Sequence, residues 1–390
     1  MRVVLYPDSR QETAPYYKEN TNVRFTYKQM KTEMVPGTFV LNGQRAIYST
    51  GATTVVAGDS LYTDPDIGIA SMLKGVIWSF SRTGTQENIQ DYPYLVKKYS
   101  LLRQDEESIG TNLRSSMELR APNQQQTQAL ALGVQGRAVA ADNAFVDFSH
   151  KFICGLNTAE ATISSDINGN LIFDIQLQSN ASALFGSSNT VNASYSLKNL
   201  TLEFEVIPDT GVRKDVMYIK HIHGQDQLLA NETTLTNTVN GAACTGFLST
   251  AINLTKLSDI TANSYAAAPP AGTPPIGSTS TDTFLTYGIE RTFYSIGNVD
   301  TVLTGYELTS REEIVGNALA AVGNMDKYGT LLRRMRHPLN PDGYVWGYLW
   351  KDALDLTNNS LTQYVKSLAG SPNPEYQVFT HYICEAFIKG

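Results

Sequence analysis

Residues 75–84 read GVIWSFSRTG and residues 288–297 read GIERTFYSIG, and the fold depends on whether these stretches repeat one design. At a constant offset of 213, Gly75 aligns with Gly288, Val76 with Ile289, Phe80 with Phe293 and Gly84 with Gly297. A helical pattern follows each copy. After the first, YPYLVKKYSLL predicts a helix at about residues 93 to 102. After the second, SREEIVGNALAAVGNM opens with Ser310 and Glu313 at capping-box spacing, and Ile314, Ala318, Val322 and Met325 form one apolar stripe. Repeated strand, glycine turn and helix predict two domains of similar construction, joined near PDTGVRK at 208–214.

Length agrees with this division. The chain has 390 residues, whereas a single hydrophobic core stops growing near roughly 250 to 300. Most of the remaining signal alternates with period two, which places one strand face in a core and the other in solvent. Leu171, Phe173, Ile175 and Leu177 alternate with Ile172, Asp174, Gln176 and Gln178. Leu200, Leu202, Phe204 and Val206 alternate with Thr201, Glu203 and Glu205. Val146, Phe148, His150, Phe152 and Cys154 form a third run, and Tyr376, Val378, Thr380 and Tyr382 interleave with Phe379, His381 and Ile383 in a fourth. TFVLNGQRAIY, around Asn42 and Gly43, and NPDGYVW at 341–343 carry hairpin signals. The fold class is all-β, with a few short helices. Two polar segments, 121–144 and 258–283, have loop composition, and the four prolines of the second keep it out of a central strand.

Composition excludes several classes of function. Only 17% of residues are charged and the net charge is −7, so binding nucleic acid by bulk charge is excluded. No apolar run approaches the roughly 18 residues of a membrane span, and the first 30 residues lack the apolar core of a signal peptide. A soluble chain without an export signal is expected. Cys154, Cys244 and Cys384 are too few and scattered for a disulfide framework, which predicts free thiols in a reducing compartment.

Catalytic patterns are sparse. Phosphate-loop, zincin and nucleophile-elbow motifs are missing, and nothing in the sequence calls for a cofactor. His221 and His223 in MYIKHIHGQDQ share one strand face, the geometry of a β-barrel metal site. A cupin-like set also needs a Glu four or five residues later, where Asp226 to Leu229 stand instead. The pair remains a weak metal candidate beside its alternative, histidines facing a subunit contact. His150 on an apolar face predicts a hydrogen-bonded core histidine. The carboxylate pairs Asp64 and Asp66, Glu106 and Glu107, and Glu312 and Glu313 read as solvated or helix-start charges. Positive charge collects at Arg2, Arg10, Lys18, Arg24, Lys28 and Lys31, which give residues 1–31 a net of +3, and again at Arg333, Arg334 and Arg336. The first group predicts an arm along a neighbouring subunit, membrane or nucleic acid, and the second a subunit contact or interior-facing helix end.

GVIWSFSRTGTQENIQDYPYLVKKYSLL resembles the strand, glycine turn, strand and helix found early in double jelly-roll major capsid proteins. FSHKFICGLN, NLIFDIQLQSNASALF and ASYSLKNLTLEFEVIP resemble the strands that close the first jelly roll, and the stretch from FLTYGIERTFYSIG to YVWGYLW resembles the second. The resemblance spans about residues 36 to 390 and rests on strand order and spacing. It implies two tandem eight-stranded antiparallel jelly rolls with long loop insertions. The expected divisions are an inner-face arm at 1–35, jelly rolls at 36–207 and 208–390, and an exposed loop at 258–283. It further implies no enzymatic activity, a homotrimer, and packing with neighbouring capsomers into an icosahedral virion shell around a DNA genome. Minor capsid or penton proteins, and an internal membrane or the genome on the inner face, are the implied partners. A reading from another class is a carbohydrate-binding or carbohydrate-cleaving β-sandwich, in which Trp346 and Trp350 form a sugar-stacking platform.

Overall fold

The computed structural model describes residues 1–8, 16–28, 31–48, 61–62, 67–103, 145–186, 194–228, 232–238, 243–253, 289–296, 311–321, 345–355, 360–367 and 376–389. The first half contains β1 (Arg2–Leu5), β2 (Asn22–Tyr27), β3 (Thr32–Met34), β4 (Val40–Tyr48), β5 (Leu61–Tyr62), β6 (Leu73–Phe80) and β7 (Gly84–Gln90). Helix α1 (Tyr92–Arg103) follows, then β8 (Val146–Lys151), β9 (Ile163–Ser164), β10 (Leu171–Leu177), β11 (Phe185–Gly186) and β12 (Ser194–Pro208). The second half contains β13 (Val216–Leu228), β14 (Glu232–Thr238), β15 (Ala243–Asn253), β16 (Ile289–Ile296), helix α2 (Arg311–Ala321), β17 (Trp346–Asp355), β18 (Ser360–Ser367) and β19 (Tyr376–Ile388).

Each half is a sandwich of antiparallel sheets. In the first, β8-β4-β12-β3-β9, with β1 beside β12, faces β2-β10-β6-β7, and β11 pairs with β5. In the second the sheets are β13-β19-β15-β17 and β14-β18-β16. Among the described residues no sheet mixes strands of the two halves. The repeated decapeptides supply β6 and β16, each preceding a helix.

The alternation places the core. Along β10 the buried residues are Leu171, Phe173, Ile175 and Leu177, and along β12 they are Leu200, Leu202, Phe204 and Val206. Tyr27 of one sheet meets Phe204 of the other edge-on at 5.2 Å between ring centroids, and Phe152 lies 4.8 Å from Phe173. Helix α1 buries Tyr92, Leu95, Val96, Lys97, Lys98, Tyr99 and Leu102. Such burial needs partners on every side of the helix, and α1 packs on β6 of its own half, on β15 of the other and against α2. Helix α2 buries Ala318, Leu319 and Ala321. Its expected capping box and the positions of Val322 and Met325 lie outside the described residues and side chains.

Four expectations are corrected. Asn42-Gly43 is not a hairpin: β4 runs through it, with β12 on one edge and β8 on the other. Gly43 is needed for close approach, because a Cβ there would sit 2.6 Å from Leu200 and 3.0 Å from Phe148. Within 1–35 the described strands do not form a separate arm: β1 extends one sheet of the first sandwich and β2 the other. Cys244 and Cys384, directly opposed on β15 and β19 with Cα atoms 4.0 Å apart, form a disulfide. A sequence separation of 140 hides this contact, which only strand register creates. Finally, Trp346 and Trp350 are buried, 0% and 7% exposed, and Trp350 packs on Phe247, so they offer no sugar platform. The hairpin signal at 341–343 and the loop at 258–283 lie outside the described residues.

Candidate functional site

The molecule concentrates its buried polar chemistry where the halves meet. Strand β13 is an edge of its sheet, and an open edge is a template for unwanted pairing. The first half covers it. The Glu160 N–H donates to the Met217 carbonyl at 3.0 Å. The one-turn helix Gly155–Thr158 presents the Thr158 hydroxyl, which accepts from the Ile219 N–H at 3.1 Å and lies 3.2 Å from the Ile219 carbonyl. Next along the edge, the His221 N–H donates to Glu87 Oε1 at 2.7 Å.

Glu87 on β7 is the hub of this seam, at 0% exposure. Its Oε2 accepts from Trp78 Nε1 at 2.7 Å and from the Gly155 N–H at 2.6 Å. Its Oε1 accepts from the His221 N–H and contacts His221 Nδ1 at 3.2 Å. Four donors match the lone pairs of a carboxylate, which is the condition under which a buried charge is tolerated. The other ring nitrogen of His221, Nε2, meets the Tyr99 hydroxyl of α1 at 3.0 Å. Packing around the hub is close: a Cβ on Gly155 would collide with the Tyr218 ring and sit 2.9 Å from Trp78.

A second cluster lies at the neighbouring residue of α1, Lys98. Its buried ammonium donates to the carbonyls of Phe379 at 2.6 Å and Leu248 at 3.0 Å, and meets His381 Nδ1 at 2.8 Å. His381 Nε2 faces the Gln90 carbonyl at 3.3 Å. Burial holds the Lys98 ammonium below its ordinary range, and Asp91 opposes that shift. Burial, then the Lys98 charge, keeps His381 well below the ordinary imidazole range. His223 completes the row, with Nε2 3.0 Å from Asp91 Oδ2 and its ring 5.2 Å from that of His381. Tyr94 stacks on Phe379 at 4.0 Å beside it. The result is a largely buried, polar joint of α1 and β7 against β13, β15 and β19.

His221 and His223 therefore face the other half of the same chain rather than a subunit contact. His221 contacts Glu87 and Tyr99 through its two ring nitrogens, and among the described residues no group of three His, Cys, Asp or Glu is placed to hold a metal. His150 is a core histidine: Tyr92 accepts from the Ile153 N–H at 2.9 Å and is hydrogen-bonded to His150 Nε2, also at 2.9 Å. Burial lowers its pKa to about 4. The basic residues of the first segment are dispersed. Arg2 pairs with Glu203 and Arg24 makes a two-pronged pair with Asp174 at 2.7 and 3.0 Å, while Lys18, Lys28 and Lys31 are exposed. Arg10, Arg333, Arg334 and Arg336 lie outside the described residues, as do the carboxylates of Asp64, Asp66, Glu106, Glu107, Glu312 and Glu313.

Sequence reading missed Glu87, Lys98 and His381. One signal was present: two lysines, Lys97 and Lys98, inside the otherwise apolar YPYLVKKYSLL. A charge on every-sided apolar surface implies a buried partner.

No protein-family model and no curated protein matches the sequence. Solved structures do match across the whole chain. A chain of the Sputnik virophage cryo-EM structure superposes with a TM-score of 0.60 at 10% identity, covering 100% of this chain and 87% of that one. The Faustovirus major capsid protein gives 0.57 at 8% identity, covering 100% and 90%. The PBCV-1 VP54 crystal structure, fitted into a reconstruction of the virophage Sputnik, gives 0.55 at 10% identity, covering 100% and 94%. At such identities the likeness establishes the fold, which is the double jelly roll.

Proposed function

We propose that this double jelly roll is a virion structural protein, a major capsid protein whose work is assembly rather than catalysis. The observation that carries the reading is the likeness over the full chain to major capsid proteins, in a molecule whose two sandwiches are joined by a buried polar seam. A rigid seam supports the role physically. Two sandwiches held side by side present two similar blocks from one chain, and three such chains close into a ring of pseudo-sixfold outline.

In this reading the homotrimer packs against neighbouring capsomers into an icosahedral shell that encloses a DNA genome, with minor capsid or penton proteins filling special positions. The exposed Lys18, Lys28 and Lys31 would turn toward an inner membrane or the genome, with Arg10 and the 333–336 arginines as further inner-face or subunit-contact groups. The location is the virion, after assembly inside a host cell. Each trimer contact is expected to bury about 2,000 Å² or more. Size-exclusion chromatography with mass measurement, followed by electron microscopy of the purified assembly, tests this: trimers and shell fragments are expected, and a stable monomer with no tendency to associate would overturn it. The carbohydrate reading loses its support because its tryptophans lie in the second core.

A further inference from the structure

We propose that the seam is an acid-operated release, in which a proton arriving on His381 Nδ1 breaks the Lys98–His381 hydrogen bond and loosens α1 of the first half from β19 of the second. The inference concerns the single chain and does not depend on capsid assembly.

The geometry sets the protonation states. His381 Nε2 faces the Gln90 carbonyl, which can only accept, so the ring hydrogen sits on Nε2 and Nδ1 offers its lone pair. With the Phe379 and Leu248 carbonyls this gives Lys98 Nζ three acceptors, at 2.8, 2.6 and 3.0 Å, matching the three hydrogens of an ammonium. A second proton can only enter at Nδ1. There it would confront the Lys98 N–H across 2.8 Å, with two positive charges in a fully buried site. Among the described residues no nearby carboxylate is left without a partner to absorb the charge. From the β7–α1 corner, Glu87 already accepts from four donors and Asp91 is engaged by His223. The other titratable groups acting on the site are His223 and His221 on β13, with Tyr94 stacked on Phe379; Lys97 and Tyr99 flank Lys98 on α1, and Glu385 lies farther along β19. On β15 the contact is the Leu248 carbonyl.

The sign follows from linkage. Because His381 is held neutral in the folded chain, its contribution to stability is complete above about pH 6.5, the ordinary imidazole value, and is lost as the pH falls below it. Lys98 gains nothing from acid that would offset this.

The test uses the full chain at about pH 7.5 and about pH 5, either side of an unshifted imidazole. Nitrogen NMR of the histidine rings should find His381 as the neutral Nε2–H form at the higher pH. Hydrogen exchange, corrected for intrinsic rates, should rise at the lower pH by about tenfold or more in 92–103 and 376–388, the equivalent of one pKa unit, while β2 and β10 stay protected. His381→Asn keeps an acceptor for Lys98 but has no site for a proton, and should remove most of that rise. Three results would each overturn the proposal: unchanged seam protection on acidification, loss in step with β2 and β10, or an H381N chain as acid-sensitive as the parent. Should H381N fail to fold, the parent chain's ring titration and exchange decide alone, and a His381 that protonates while the seam stays protected counts against it.

Discussion

Strands β12 and β19 are both paired along each of their edges within their own half, and both alternate in sequence, yet they meet different surroundings. On β12, Leu202, Phe204 and Val206 enter the core while Glu203 and Glu205 point outward, where Glu203 pairs with Arg2. On β19, Val378, Thr380, Tyr382 and Cys384 fill one sandwich, and the intervening Phe379, His381 and Ile383 are buried as well. The difference arises from α1 of the first half, which covers the outer face of β19. A sheet face is a solvent face only where nothing else docks on it. The polar residue on the covered face, His381, then becomes a junction rather than a surface group.

The largest effect should separate covered from uncovered polar residues. Glu87→Ala leaves four donors of the seam without their acceptor and should lower stability by about 3–5 kcal/mol, whereas Glu205→Ala on the open face should stay within about 0.5 kcal/mol. Urea unfolding of both variants measures the contrast, and equal small losses would remove the distinction between the faces. Next in size, the disulfide staples only the second half. Reduction, or Cys244→Ala with Cys384→Ala, should cost about 2–4 kcal/mol, seen as a lower unfolding midpoint in reductant. The double variant itself should no longer respond to reductant. Smallest, Arg24→Ala removes an exposed ion pair on the outer face of the first sandwich and should cost less than about 1 kcal/mol. Repeating the measurement in high salt should erase even that difference.

Several elements were legible because their causes are local. The periods of β10 and β12 follow from side-chain direction along a strand, so their burial could be read residue by residue. Asn42-Gly43 was misread for the opposite reason: its glycine answers to Leu200 and Phe148, which approach from other strands. The histidines of β13 were visible as a pair, but their partners Glu87, Tyr99 and Asp91 belong to the other half. Lys98 carried a detectable signal in an apolar helix, whereas its acceptors, two backbone carbonyls and His381, have no sequence mark at all.

By itself the sequence determined two β-rich halves of similar plan, the strands that face each core, and the helix after each repeated decapeptide, since period and turn chemistry act over a few residues. Only the tertiary structure decided that β1 and β2 are woven into the first sandwich, that Cys244 meets Cys384, and that Glu87 and Lys98 lock the halves together. Those contacts join residues 134 to 283 positions apart. Strand register and docking select them, and neither is encoded in any short stretch of chain.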